Sequence, residues 1–203
     1  NPLAAQLGSS LVVPCDVSDE ASMDALFETL KAEWGQLDFV VHAIGFSDKN
    51  ELRGRYVETS RDNFTMTMDI SVYSFTAIMQ RAEKMMAPGG SALTLTSYGA
   101  EQVMPHYNVM GVAKAALEAC TRYIAADLGP RGIRVNAVAP GPTNTPIMNG
   151  LPQEWITSME QSVPLGRMAD PSEVASAVSY LLSDDASFVT GSVLVANGGP
   201  YSF

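Results

Sequence analysis

The chain has 203 residues, is 46% hydrophobic and 17% charged, and carries a formal net charge of −10, enough for one domain with a sizeable core. The acidity argues against a nucleic-acid surface, which needs a basic face to neutralise phosphates, and no apolar run approaches the ~20 residues that span a bilayer. Cys15 and Cys120 sit at no metal-ligand or redox spacing, so the chain reads as a protein of a reducing compartment, the cytoplasm.

Taken in order, residues 3–7 read as the tail of a helix stopped by Gly8, so the chain is expected to begin partway through a domain. Leu11-Val12-Val13 is a short buried strand ending at Asp16, and residues 21–34 form an amphipathic helix opened by Ser18. Residues 37–44 are a continuous apolar run, expected to be a strand buried on both faces. A long helix over 63–86 stops at Pro88-Gly89-Gly90 and leads to a strand over 91–96. Pro105, whose missing N–H is harmless in a first helical turn, opens a helix reaching Leu128. A strand over 133–138, helices over 152–162 and 171–183, and a last strand over 193–196 complete the pattern. Alternating strands and helices imply a parallel sheet with right-handed crossovers, a doubly wound α/β fold in a single domain over 1–203.

Four features lie on this frame. Cys15-Asp16-Val17 ends the first strand, where the Asp also reads as a cap for the next helix. His42-Ala43-Ile44-Gly45 ends the second; Gly45 allows close approach of a ligand to the backbone, and His42 alone reads as a satisfied core histidine. Tyr107 and Lys114 are seven residues apart, about 700° of helix, which leaves them ~20° apart in angle and ~10 Å apart along the axis. Pro140-Gly141-Pro142-Thr143-Asn144-Thr145 follows a strand. In this order and at these separations the four resemble the short-chain dehydrogenase/reductase family. The Tyr-x6-Lys spacing, in place of Tyr-x3-Lys, and the His-Ala-Ile-Gly turn resemble its enoyl-acyl-carrier-protein reductase branch. Gly45-Phe46-Ser47-Asp48-Lys49, Tyr73-Ser74-Phe75 and Asn108-Val109-Met110-Gly111 extend the likeness.

The resemblance implies a Rossmann-like domain that reduces trans-2-enoyl thioesters on acyl carrier protein with NADH or NADPH, in fatty acid biosynthesis. Tyr107, Lys114 and Ser97 would be catalytic. Asp16, Val17, Ile44, Gly45, Lys114, Gly141, Thr143 and Thr145 would hold the cofactor. Tyr98, Met104, Met110, Ile147 and Met148 are candidates for the substrate channel, with a lid within 143–162. The family's tetramer suggests contact through the two long helices, aided by Ala113, Ala116 and Ala119 on an outer face. Lys49, Arg53 and Arg55 form the one basic cluster that could grip a carrier protein, or a solvated surface.

The chain also departs from the pattern. Ser97 stands where the commonest enoyl reductases carry a second tyrosine, and a serine there is the rule in ketoreductases. The long helix carries Ile70 where ketoreductases place a relay asparagine. Val163-Pro164-Leu165-Gly166-Arg167-Met168 and Val189-Thr190-Gly191 read closer to ketoreductases, so ketoreduction remains an alternative, as does a non-enzymatic truncated paralogue. The family's Gly-rich pyrophosphate turn is missing. With it would go two strands between Leu11 and Leu37, leaving those segments ~14 Å apart. The expectation is a fragment lacking its first βαβ unit, about fifty residues, that binds cofactor poorly.

Overall fold

The computed structural model describes residues 2–199, apart from the side chains of Pro2 and Ile147. Four parallel strands pair in the order β1 (Leu37–His42), β2 (Met86–Leu95), β3 (Arg134–Pro140) and β4 (Val193–Ala196). Parallel neighbours need a crossover between them. Here α3 (Arg61–Met68) and α4 (Ser74–Ala82) join β1 to β2, α5 (Asn108–Leu128) joins β2 to β3, and α6 (Gln153–Ser162) and α7 (Pro171–Leu182) join β3 to β4. Two further helices, α1 (Pro2–Gln6) and α2 (Glu20–Glu33), precede the sheet.

The sheet separates two apolar layers. On one face Phe75, Met79, Leu117, Ile133 and Val135 pack α4 and α5 onto the strands; on the other Leu93, Val138 and Leu181 pack α7. Each side chain of this kind that leaves water contributes about 1.5–3 kcal/mol. The buried face of α5, from Val109 through Ala113, Leu117 and Thr121 to Ala125 and Leu128, follows the three-and-four spacing of a helix stripe. The far layer is held by one buried cation. Arg134 donates to the carbonyls of Leu181 (2.8 Å) and Ser183 (3.0 Å), satisfying acceptors that α7 leaves open at its C-terminus. At its other end α7 has a full capping box between Asp170 and Glu173.

Several expectations are corrected. Leu11-Val12-Val13 is irregular, with Val12 53% exposed; with no neighbour on a ladder a strand has no hydrogen bonds to hold it. β1 is an edge strand, and its face carrying Phe39 (56% exposed) and Val41 (42% exposed) is open, not buried. Asp19, not Ser18, caps α2, by accepting from the Ala21 N–H. The long helix begins at Arg61 behind a Ser60 cap, and its middle, Asp69–Tyr73, is a π-helical turn. β2 starts at Met86, five residues early, because a bulge opposite Leu37–Phe39 absorbs Pro88-Gly89-Gly90 before the ladder turns regular at Phe39–Ser91. Pro105 does not open α5; the helix starts at Asn108, after a tight turn. Ala113 is fully buried in the core and offers no outer face.

No helix among the described residues is long and apolar enough to cross a membrane.

Candidate active site

In a parallel sheet all strands end along one edge, and ligands of such folds sit beyond it. The segments leaving β1, β2 and β3 bring Gly45, Ser97 and Gly141 to that edge. Ser97 starts a short 3₁₀ turn without capping it, so its hydroxyl is free to leave the backbone. It donates to the Tyr107 hydroxyl at 2.9 Å. Tyr107 is the residue just before α5, and its ring lies so close to Gly99 that a Cβ there would come within 2.5 Å of the ring. Only glycine permits that approach. Burial raises the Tyr107 pKa from its ordinary value of 10, with the Ser97 hydrogen bond opposing the shift, so the phenol is protonated at neutral pH.

Lys114 lies on the buried face of α5, 9% exposed. Its Nζ donates to the Leu95 carbonyl at 2.7 Å, and burial pushes its pKa down to about 8. A Cβ added to Gly45 would fall 3.7 Å from Lys114 Nζ and 3.8 Å from Ser71 Oγ, so Lys114 and Ser71 lie side by side next to Gly45.

Ser71, next to Gly45, is a candidate site residue that the motifs do not reveal. The π-helical turn adds a residue to the helix and presents Ser71, not Ile70, to the turn after β1. There its hydroxyl accepts from the Phe46 N–H at 3.0 Å and donates to the Phe46 carbonyl at 3.1 Å. Polar residues at helical spacing, Asn63, Thr67, Ser71 and Ser74, all buried on this helix, were the available signal. Ser74 Oγ donates to the Ile70 carbonyl at 2.7 Å and therefore accepts from His42 Nε2 at 2.9 Å. His42 Nδ1 is then the acceptor, 2.8 Å from Thr94 Oγ1, which fixes the tautomer through the partners. His42 is 1% exposed, and burial first, then the Lys114 charge, lowers its pKa from 6.5 to about 4.

This gives a pH prediction. Between 6.5 and about 4 the unfolded chain binds a proton at His42 that the folded chain refuses, so stability rises with pH there and is lost on acidification. About 3 kcal/mol is expected to disappear across that window. Urea midpoints from pH 7 down to 4 should fall in the wild type and fall much less in His42→Gln; parallel curves would show that other groups govern acid stability.

The other expected site residues are more scattered. Gly141 N–H donates to the Ala196 carbonyl (3.0 Å) and Thr143 Oγ1 to the Gly141 carbonyl (2.9 Å), while Asn144 N–H reaches Ala169. Thr145 precedes a 3₁₀ turn over Pro146–Gly150 that carries the half-buried Met148; the Ile147 side chain lies outside the described residues. Ile44 and Val17 are half-buried. Asp16 is exposed, and its carboxylate accepts from the N–H and hydroxyl of Ser18, which holds its pKa low. A cavity of about 410 Å³ opens beside Tyr107, bordered by Tyr56, Gly99, Val103, Met104 and Val112. Tyr98 is outside that lining, its hydroxyl accepting from Gln102, and Met110 lies in the apolar core.

The family model described as enoyl-(acyl carrier protein) reductase matches residues 1–200. The enoyl-[acyl-carrier-protein] reductase [NADH] 1 of Rhizobium meliloti is 58% identical over 200 residues, 98% of this chain and 74% of that protein. FabI of Rickettsia bellii, an enoyl-[acyl-carrier-protein] reductase [NADH], is 47% identical over 196 residues, 95% of this chain and 74% of that one. Among solved structures, the Anaplasma phagocytophilum enoyl-acyl-carrier-protein reductase in complex with NAD superposes with a TM-score of 0.90 at 52% identity, covering 98% of this chain and 74% of that chain. The Aquifex aeolicus enzyme (NADH) gives 0.92 at 40% identity, covering 98% and 79%. With the model matched across nearly every residue, and identity this high in both sequence and structure relatives, the chain belongs to the enoyl-acyl-carrier-protein reductase family of short-chain dehydrogenase/reductases.

Proposed function

We propose that this chain reduces the C2–C3 double bond of trans-2-enoyl thioesters carried on acyl carrier protein, with NADH as donor, in cytoplasmic fatty acid synthesis. The observation that carries the reading is the Ser97–Tyr107 hydrogen bond. Because Ser97 donates into the phenol oxygen, the phenol keeps its own proton to give to a substrate oxygen.

The space beside Gly45 suits the nicotinamide end of the cofactor. Gly45 keeps it clear of a Cβ, and Lys114 uses one of its three donors on Leu95, leaving two for ribose hydroxyls. Ile44 and Gly45 would line that ribose, and Gly141, Thr143 and Thr145 would flank the carboxamide and pyrophosphate. Asp16 and Val17 would lie towards adenine. When bound, NADH would supply a hydride to C3 of the thioester, leaving NAD⁺ and an enolate that takes up a proton at C2 to complete the reduction. Tyr107 meets the negative charge that then develops on the thioester oxygen, by a hydrogen bond preset before charge appears, the arrangement that yields the largest electrostatic gain. Ser97 holds the phenol from behind. Lys114 fixes the ribose and places a positive charge below the site.

Residues 143–162 would form the substrate lid, with Met104, Met148 and the cavity beside Tyr107 receiving the acyl chain. Lys49 and Arg53 are exposed on the loop after β1, whose Glu51 carbonyl accepts from Asn108 next to Tyr107, a location suited to the acidic carrier. Phe64, Met68, Tyr73 and Cys120 form an outward apolar surface across α3 and α5 that would pair subunits in a homotetramer.

Ser97 beside Tyr107 also supports a second reading, reduction of a 3-oxoacyl thioester, because a serine so placed can hydrogen-bond a ketone. Oxidation of NADH and NADPH with crotonyl and acetoacetyl thioesters separates the two. Turnover of crotonyl thioester with NADH is expected; turnover of acetoacetyl thioester alone would replace the enoyl reading by the ketone one.

A further inference from the structure

Among the described residues two non-glycine positions have positive φ, His106 at 59° and Asn108 at 36°, and they flank Tyr107. L-residues reach this region at an energetic cost, which asparagine and histidine bear better than most, and surroundings must hold them there. Here each is tied to a separate element of the chain. Asn108 Nδ2 donates to the Glu51 carbonyl at 3.0 Å, with the Gly54 carbonyl at 3.5 Å, fastening the turn to the loop after β1. The His106 ring lies parallel to the Trp155 indole of α6, 8° between planes and 6.3 Å between centroids. Between them the Tyr107 ring is confined by Gly99, and Gly111 is pressed close enough to the Gly99 carbonyl that a Cβ would reach 2.8 Å.

We propose that His106 and Asn108 are positioning residues for Tyr107: Asn108 anchors the turn that aims the phenol, and His106 seats Trp155 of α6 on the same turn, so that this helix and the phenol are set together. The inference rests on the enoyl-reductase reading only for its kinetic readout.

Glycine tolerates positive φ, so Asn108→Gly and His106→Gly remove each side chain while sparing the backbone. Asn108→Asp serves as a second variant, because a carboxylate in a first helical turn favours the helix while its oxygens cannot donate to Glu51. Both Asn108 variants are expected to lower kcat by about tenfold or more, the scale of a misplaced catalytic group, with the KM for NADH and the Asp variant's melting temperature unchanged. In a Trp34→Phe background, which leaves Trp155 as the chain's one tryptophan, His106→Gly is expected to shift the Trp155 emission to the red. Wild-type kcat in both Asn108 variants, or unchanged emission in His106→Gly, overturns the proposal. Should the wild type reduce no enoyl thioester, the proposed function fails, and ultraviolet titration of the phenol, taken as the difference from Tyr107→Phe, still decides this one. Burial holds the phenol above its ordinary range, so a fall towards that range in both Asn108 variants supports the proposal, and an unmoved titration overturns it.

Discussion

Replacing Tyr107 with phenylalanine is expected to reduce kcat for the enoyl thioester by about 10²–10³-fold, the usual effect of removing one preset donor to a developing oxyanion. The KM for NADH should stay where it is, because in the proposed mechanism the phenol would face the substrate and Lys114 would carry the ribose. The size of the effect follows from three local facts. The phenol is buried enough to stay protonated, it accepts a hydrogen bond from Ser97 rather than donating one, and its ring is pinned against Gly99. Such a group is already in place when charge forms and requires no reorganisation. Ser97→Ala should cost less, since it removes a support and leaves the donor. Steady-state kinetics on the three proteins check this; a Phe variant with wild-type kcat would mean that another group meets the oxygen.

The second expectation concerns Lys114, where activity and stability should move in opposite directions. Lys114→Met should abolish turnover and yet raise stability by roughly 1–3 kcal/mol at neutral pH, since a buried charge with incomplete pairing is costly to keep. Lys114 is 9% exposed, with one carbonyl, Leu95, as its hydrogen-bond partner at 2.7 Å. The sign is testable through pH. Its folded pKa of about 8 lies below the ordinary 10.5, so between those values the unfolded chain holds a proton that the folded chain has released. Wild-type stability therefore carries the full burial penalty below about pH 8 and regains it as pH rises towards 10.5. The advantage of the Met variant should be largest at neutral pH and shrink over that window. Denaturant melts of both proteins at pH 7, 9 and 10 decide it; a Met variant less stable at pH 7 would show that the ammonium holds the fold together.

The alternation of apolar runs and amphipathic stretches determined the parallel α/β class, because burial on a sheet covered by helices demands that pattern at short range. The last strand was legible for the same reason: Val193–Ala196 is apolar and followed by Gly198-Gly199. The sequence also singled out Tyr107, Lys114 and Gly45 as candidates for the chemistry, although Tyr107 lies just before α5 rather than on it. Tertiary structure decided the rest, where long-range partners outweigh local preference. Leu11-Val12-Val13 has the composition of a strand, yet without a ladder neighbour its backbone stays irregular. Pro105 has the chemistry of a first helical residue, yet α5 waits until Asn108 because a turn with two positive φ values must first bring Tyr107 over Gly99. Ala113 faces the core where an outer face had been expected, since the buried stripe of α5 includes the face that carries Lys114. The π-helical turn at Asp69–Tyr73 left only the buried polar residues around it, Thr67, Ser71 and Ser74, as a local sign. One added residue in a helix changes which side chain meets the sheet, and only the fit of Ser71 to Phe46 and of Ser74 to His42 selects it.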